Sequence, residues 1–78
     1  MKSIHRPHYA ELIEKLVEVR TSCGVTQTEL AKQLGKHQSY VAKIEALDRR
    51  LDVVELADWL KALKMQPQRF MEGLDWWN

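Results

Sequence analysis

The feature that most constrains this chain is a pair of short helical patterns only three residues apart. The first pattern begins after Thr26, which forms a Thr-x-x-Glu capping box with Glu29, so that each side chain satisfies the other's backbone amide. It ends at Gly35, whose freedom at positive φ allows a sharp turn. The next pattern starts at Gln38. Two helices joined by so short a turn must cross at a steep angle.

The remaining sequence predicts one helix before this pair and two after it. The first extends from about His8 to Ser22, because its apolar residues recur every three or four positions. Asp52 and Glu55 repeat the capping-box arrangement and open a fourth helix. Pro67 suits the first turn of a short fifth helix. The positions predicted to face the core in the first four helices are Tyr9, Leu12, Ile13, Leu16, Val17, Leu30, Ala31, Leu34, Val41, Ile44, Val53, Leu56, Ala57, Leu60 and Leu63.

The predicted fold is therefore a compact all-α domain of five helices that spans residues 1–78. A chain of 78 residues has room for one such domain, because it buries only about 60 to 65% of its unfolded surface. Cys23 stands alone, so neither an internal disulfide nor a cysteine-based zinc site is expected. His5, His8 and His37 do not form a metal-ligand set, and no glycine-rich phosphate loop is present. We expect no enzyme activity, no metal, no cofactor and no small-molecule substrate.

Hydropathy indicates where in the cell the protein is expected, and the charge distribution indicates which class of partner it could bind. No apolar run approaches the roughly 20 residues that a bilayer requires, and no apolar segment follows the basic start of the chain, so we expect no secretory signal, no membrane partner and a cytoplasmic location. Residues 20–50 carry six basic and three acidic side chains, whereas residues 51–78 carry three basic and five acidic ones. The middle of the chain is therefore the candidate surface for an anionic partner. A solvated helix surface is the alternative explanation.

The third helical pattern carries the strongest functional signal. A helical wheel places the following residues opposite the apolar side: Gln38, Ser39, Ala42, Lys43 and Ala46. The side chains along the centre of this face are short, so the helix backbone can approach a surface closely. A glutamine can pair with adenine through two hydrogen bonds, a lysine can donate to guanine, and small side chains tolerate the thymine methyl group. Base recognition in DNA by Gln38, Ser39, Ala42 and Lys43 is the interpretation we favour. The alternative is that alanine is simply a good helix former.

Polar residues at the start of the second helix are candidates for phosphate contact. Gln27 and Thr28 present donors where the helix terminus favours an anion. Lys36 and His37, which lie in the turn between the two helices, are assigned to phosphate as well. Capping alone explains Thr26 and Glu29 but gives no reason for the polar donors between them.

The run V-T-Q-T-E-L-A-K-Q-L-G-K-H-Q-S-Y-V-A-K-I-E resembles the helix-turn-helix of the phage lambda and 434 repressor and Cro family, also called the XRE family. The similarity extends through R-R-L-D-V-V-E-L to roughly Met65. The residues that fall at the family's spacing without a gap are Gln27, Ala31, Gly35, Val41 and Ile44. The resemblance implies a lambda repressor-like domain that regulates transcription, as a repressor or autoregulator, by binding specific double-stranded DNA. Its motif would span about residues 27–46, with helix 38–46 in the major groove.

The resemblance also implies roles for individual residues. Gln27 corresponds to a glutamine that clamps a phosphate, and Tyr40 would lie near the DNA backbone. The family's base-reading positions correspond to Gln38, Ser39 and Lys43. Arg20 and Glu45 match an ion pair that joins the first helix to the end of the recognition helix. We expect this pair to be partly buried; the alternative is an exposed pair.

One departure from the family follows the third helix. Relatives commonly have a glycine there, whereas this chain has Ala46-Leu47-Asp48. Either the helix continues, or Leu47 adopts a strained turn. The loop thus lacks the glycine that accompanies the family's usual backbone contact to phosphate. Arg49 and Arg50 are candidates to reach phosphates through their side chains instead; the alternative is that both are solvated.

Aromatic residues near the carboxyl end predict self-association. Residues 66–78 are a candidate dimerisation segment, and the expected interface residues are Phe70, Met71, Trp76 and Trp77. For Phe70, packing in the core of the chain is the alternative. A two-fold homodimer would match an inverted repeat in DNA, because its two recognition helices would enter successive major grooves.

The rival interpretation is a protein-interaction module, such as an antitoxin that binds a partner protein with or without DNA. In that case the small-faced third helix would dock on a protein. The lysine on this face disfavours the rival. Salt separates the two interpretations, because phosphate binding weakens steeply as salt rises whereas an apolar protein interface barely responds.

Overall fold

The computed structural model describes residues 6–77, which form five helices and no strand. The helices are α1 (Pro7–Ser22), α2 (Gln27–Leu34), α3 (Gln38–Glu45), α4 (Val53–Ala62) and α5 (Pro67–Glu72). The predicted all-α fold is confirmed. Residues 1–5, which include His5 and the start considered for a secretory signal, lie outside the described residues, as does Asn78. Between Arg6 and Trp77 no helix is long and apolar enough to cross a membrane.

Both predicted capping boxes are present and fix where α2 and α4 begin. The amide of Glu29 donates to Thr26 Oγ1 at 3.0 Å, and the amide of Thr26 donates to Glu29 Oε1 at 2.9 Å. At α4 the amide of Glu55 donates to Asp52 Oδ1 at 2.7 Å, and the amide of Asp52 donates to Glu55 Oε1 at 3.0 Å. Because each box satisfies two amides at a helix start, these starts are set by local chemistry.

The turn between α2 and α3 holds the two helices against each other. Gly35 has φ 69°, a left-handed conformation that glycine adopts without steric cost. The amide of Lys36 donates back to the carbonyl of Ala31 at 2.9 Å, which closes the end of α2. The chain then needs only Lys36 and His37 before α3 begins. As a result α2 packs directly on α3, while α4 packs mainly against α2 and α1 packs against α3.

One apolar core joins all five helices, and Trp59 of α4 is fully buried in it. The buried residues are Ile13, Leu16, Leu30, Ala31, Val41, Ile44, Leu51, Leu56, Trp59, Leu60, Leu63, Phe70 and Leu74. Val53 and Ala57 were predicted to join them, and this prediction is wrong, since both are exposed. The buried stripe of α4 consists of Leu56, Trp59 and Leu60, so Val53 and Ala57 lie to one side of it.

Two non-glycine residues, Leu47 and Lys64, end helices in the left-handed conformation, with φ 64° and 56°. The prediction left open whether α3 continues or Leu47 adopts a strained turn; the structure shows the strained turn. Leu47 packs its half-buried side chain against the core, which offsets part of the strain. The side chain of Lys64 is exposed and gains no such burial.

Replacement of Lys64 by glycine should stabilise the fold. Lys64→Gly removes a Cβ from a left-handed position, and we expect the free energy of unfolding to rise by about 0.5 to 1 kcal/mol. Urea denaturation followed by circular dichroism measures this change. The control is Lys61→Gly, the same substitution three residues earlier in α4, which should lower the free energy of unfolding by up to about 1 kcal/mol. Destabilisation by both variants to the same extent would contradict the strain argument.

Candidate nucleic-acid interface

The outward face of α3 is open to solvent. Gln38, Ser39 and Lys43 are exposed, and Ala42 between them is half-buried, whereas Val41 and Ile44 on the opposite side are fully buried. None of the predicted base-reading residues is sealed in the interior. The helix therefore presents a shallow surface with two longer polar side chains, Gln38 and Lys43, that extend beyond it.

A bidentate ion pair joins α1 to the end of α3. Arg20 Nε donates to Glu45 Oε2 at 2.7 Å, and Arg20 Nη2 donates to Glu45 Oε1 at 3.0 Å. The two side chains are 11% and 7% exposed, so this is the partly buried form of the pair. The remaining guanidinium nitrogen of Arg20, Nη1, donates to the carbonyl of Val25 at 2.8 Å and thereby also holds the turn that precedes α2.

The ion pair continues into a relay of hydrogen bonds that reaches the exposed face. Gln27 Nε2 donates to Glu45 Oε1 at 2.8 Å, and Gln38 Nε2 donates to Gln27 Oε1 at 2.7 Å. The direction of this relay follows from its first member, because a carboxylate only accepts hydrogen bonds. Gln27 must therefore turn its NH₂ group towards Glu45 and its carbonyl towards Gln38. Gln38 is left with its carbonyl oxygen and one N–H group for another partner.

A second cluster surrounds Tyr40 on the other side of α3. The Tyr40 hydroxyl donates to Glu55 Oε2 at 2.9 Å, and Arg49 Nη1 lies 3.0 Å from the same oxygen. The Arg49 guanidinium lies 4.8 Å from the centroid of the Tyr40 ring, and Lys36 Nζ lies 5.4 Å from it. From the sequence, Glu55 was predicted only to cap α4. Its second role depends on the tertiary fold, which brings the start of α4 near Tyr40, and no local pattern indicates it.

The contacts in the Tyr40 cluster shift the pKa values of Tyr40 and Glu55. Burial raises the pKa of Tyr40, so its hydroxyl keeps its proton and donates. Burial alone would raise the pKa of Glu55, but hydrogen bonds from the Asp52 amide, Tyr40 and Arg49 outweigh it and hold the pKa below its usual value. Glu55 is therefore ionised, and the stability it contributes is lost as the pH falls through this lowered pKa.

The loop between α3 and α4 presents its two arginines differently. Arg49 is held by Glu55, by the Tyr40 ring and by a 3.1 Å hydrogen bond to the carbonyl of Arg50. Arg50 is exposed and lies 5.9 Å from the centroid of the Tyr9 ring. The loop itself is anchored to α1, since the amide of Leu51 donates to the Tyr9 hydroxyl at 2.9 Å. Arg50 is thus the freer of the two cations.

The structure corrects one of the predicted dimer-interface residues. Phe70 is buried in the core of its own chain, because α5 turns its ring inward, so it does not lie on a surface that a second chain could reach. Met71 and Trp76 are half-buried, and Trp76 stacks on His8 with ring centroids 5.0 Å apart. Trp77 is the large aromatic residue that stays on the surface.

Comparison with known proteins relates this arrangement to one family. A family model described as helix-turn-helix matches residues 16–70, which include α2, α3 and α4 in full. Among solved structures, the chain is similar to an XRE-family like protein from Pseudomonas syringae pv. tomato str. DC3000. The two share 40% sequence identity with a TM-score of 0.85, over 94% of this chain and 89% of that chain. A search of curated protein sequences found no match.

Loss of Glu45 should destabilise the fold far more than loss of an exposed carboxylate. Glu45→Ala leaves the Arg20 charge and the Gln27 amide without their partner, and we expect a loss of about 3 kcal/mol in the free energy of unfolding. Glu45→Gln, which keeps the shape, should fall between this variant and the parent.

The matched control is Glu18→Ala in α1. Glu18 pairs with Lys15 at 3.7 Å, and these side chains are 59% and 40% exposed, so its removal should cost less than about 1 kcal/mol. Urea denaturation of all three variants gives the comparison. Equal losses for Glu45→Ala and Glu18→Ala would show that the buried pair does not hold the fold together.

Proposed function

Because the chain belongs to the XRE family of helix-turn-helix DNA-binding regulators, we propose that it is a sequence-specific transcriptional regulator, a repressor or autoregulator, that inserts α3 into the major groove of double-stranded DNA. The observation that carries the proposal is the outward face of α3. It is shallow, polar and basic, and its first residue is held from behind by a hydrogen-bonded relay. Such a face can approach base edges closely without a large cost in ordering its side chains.

The side chains proposed to contact the bases are Gln38, Ser39, Ala42 and Lys43. The carbonyl oxygen and the remaining N–H group of Gln38 match the N6 donor and the N7 acceptor of adenine. Lys43, five residues further along α3, can donate to the acceptors of guanine. Ser39 and Ala42 leave room for a thymine methyl group between these two contacts.

Phosphate contacts flank the recognition helix in this proposal. The capping box satisfies the amides of Thr26 and Glu29, which leaves those of Gln27 and Thr28 for an anion at the start of α2. The side chains proposed to supply further contacts are Lys36, His37, Tyr40, Arg49 and Arg50. Of the two loop arginines, Arg50 is the stronger candidate for a phosphate contact, because Arg49 is already paired with Glu55.

We further propose that the protein acts in the cytoplasm as a homodimer on an inverted repeat. A single helix of this length reads only a few base pairs, so specificity in a genome requires two recognition helices on one site. A two-fold dimer presents identical helices to the two halves of a palindromic site.

Selection from random duplexes at two salt concentrations tests the function directly. We expect a preferred sequence with inverted symmetry, and an affinity that falls as salt rises with a log–log slope of about −0.9 per phosphate contact. Recovery of no preferred sequence, with a protein that binds DNA weakly at low salt only, would contradict sequence-specific regulation and favour the protein-interaction alternative.

Replacement of Lys43 should alter the base preference. Lys43→Ala is expected to lose about 1 to 3 kcal/mol of binding free energy on the preferred site and to relax the preference at one position, as measured by fluorescence anisotropy on a panel of single-base variants. The control is Lys32→Ala, which removes the same charge from an exposed position of α2. Equal weakening on every duplex would show that Lys43 touches only phosphate.

A further inference from the structure

Two of the residues proposed to contact DNA phosphate share one acceptor inside the protein, the Oε2 oxygen of Glu55. The Tyr40 hydroxyl donates to this oxygen at 2.9 Å, and Arg49 Nη1 lies 3.0 Å from it. A second cation, Lys36 Nζ, lies 5.4 Å from the centroid of the Tyr40 ring. A hydroxyl and a guanidinium on one anionic oxygen are donors that proteins commonly direct at a phosphate of the DNA backbone. Glu55 Oε2 therefore lies in the position that a phosphate oxygen would take.

The hydrogens in this cluster are too few for a carboxylate and a phosphate at once. A tyrosine hydroxyl has a single hydrogen, and that of Tyr40 is directed at Glu55. Arg49 Nη1 has two hydrogens, one for Glu55 and one for the carbonyl of Arg50, to which it donates at 3.1 Å. An approaching phosphate would also meet the negative charge of Glu55 at short range. Glu55 and a phosphate thus exclude each other from these donors.

The contact that a phosphate would have to replace is open to solvent and weak. The side chain of Arg49 is 44% exposed and that of Glu55 is 20% exposed. Ion pairs as exposed as this one contribute little, because water screens the two charges. The pair of Arg20 and Glu45, at 11% and 7% exposure, is closed by comparison. Exchange of a carboxylate for a phosphate is therefore feasible at Arg49 and not at Arg20.

We propose that Glu55 competes with the DNA backbone for Tyr40 and Arg49: its carboxylate occupies their phosphate site in the free protein and is displaced when DNA binds. The inference rests on the proposed function and adds to it a residue that lowers the affinity for DNA. Since every duplex has the same phosphates, the competition should weaken binding to all sequences alike and leave the base preference to α3.

The capping box at α4 makes glutamine the informative replacement. Glu55 Oε1 accepts the amide of Asp52 at 3.0 Å, and a glutamine at this position of the box can do the same. With the oxygen of the new amide held by Asp52, its NH₂ group takes the place of Oε2 and faces Tyr40 and Arg49. A donor there cannot accept from either residue, so both are released for a phosphate while the start of α4 is kept.

Glu55→Gln should bind DNA more tightly than the parent chain. We expect a dissociation constant at least about threefold lower on the preferred duplex, measured by fluorescence anisotropy, because the donors no longer have to leave a carboxylate. On a panel of single-base variants of the duplex the affinities should rise together, so that the order of preference is unchanged.

Glu29→Gln is the matched control, because Glu29 has the corresponding position in the capping box of α2. It accepts the amide of Thr26 at 2.9 Å, and within residues 6–77 no basic side chain forms an ion pair with it. The substitution makes the same change of charge without freeing a donor of the Tyr40 cluster, so its gain in affinity should be smaller. Equal gains would show that Glu55 acts only through the overall charge, and no gain for Glu55→Gln would likewise overturn the proposal.

The background of Arg49→Ala separates competition from any other effect of Glu55. Without Arg49 the carboxylate has only Tyr40 to withhold, so the gain from Glu55→Gln should fall to less than about half its size in the parent chain. A gain of the same size in both backgrounds would contradict the competition. Arg49→Ala alone remains decisive should Glu55→Gln unfold by circular dichroism: it should flatten the salt slope by about 0.9, and an unchanged slope would show that Arg49 never reaches phosphate.

A titration with inorganic phosphate, without DNA, distinguishes failure of this inference from failure of the proposed function. Nuclear magnetic resonance of the Arg49 side chain should show phosphate binding at an at least about threefold lower concentration in Glu55→Gln than in the parent. If that result holds but neither chain binds DNA, the proposed function fails and the competition stands. If the parent selects a DNA sequence but Glu55→Gln gains no affinity in either titration, the proposed function stands and the competition fails.

Discussion

The contact on which the rest of the molecule depends is the pairing of Arg20 with Glu45. One guanidinium and one carboxylate, both nearly buried, connect α1, the turn before α2, the first residue of α2 and the last residue of α3. A buried ion pair contributes little net stability once the loss of hydration is counted, but it tolerates only one geometry. Its role here is therefore positional: it fixes the end of α3 relative to α1 and to the turn before α2.

The parts of this structure that were predictable from sequence are those determined by neighbouring residues. The capping boxes at Thr26 and Asp52 and the turn at Gly35 each depend on side chains within a few positions, so local chemistry was sufficient. The Arg20–Glu45 pair joins residues 25 positions apart and was expected only through the family resemblance. No local rule brings Tyr40 to Glu55, since that contact depends on how the tertiary fold places the start of α4 relative to α3.

The predictions that failed concern which face of a helix is buried. The periodicity of α4 allowed Val53 and Ala57 inside, but the large volume of Trp59 draws the buried stripe towards itself. Phe70 was predicted at a dimer interface because it lies among the aromatic residues near the carboxyl end, but its ring completes the core, which was the alternative. As a result, the exposed apolar side chains lie at the start of α4 and at Trp77, near the loop that carries Arg50, and not on α5 as predicted.

The relay behind Gln38 also bears on which base it could accept. A free glutamine can rotate its amide and present either a donor or an acceptor. Gln38 cannot do so without setting its carbonyl against that of Gln27, which is fixed in turn by the Glu45 carboxylate. Guanine offers two acceptors in the major groove, so it would face the carbonyl of Gln38 with no hydrogen to share. In the proposed DNA complex, the carboxylate at the far end of α3 would therefore make Gln38 favour adenine, because the alternative orientation would cost one hydrogen bond of the relay and set two like groups against each other.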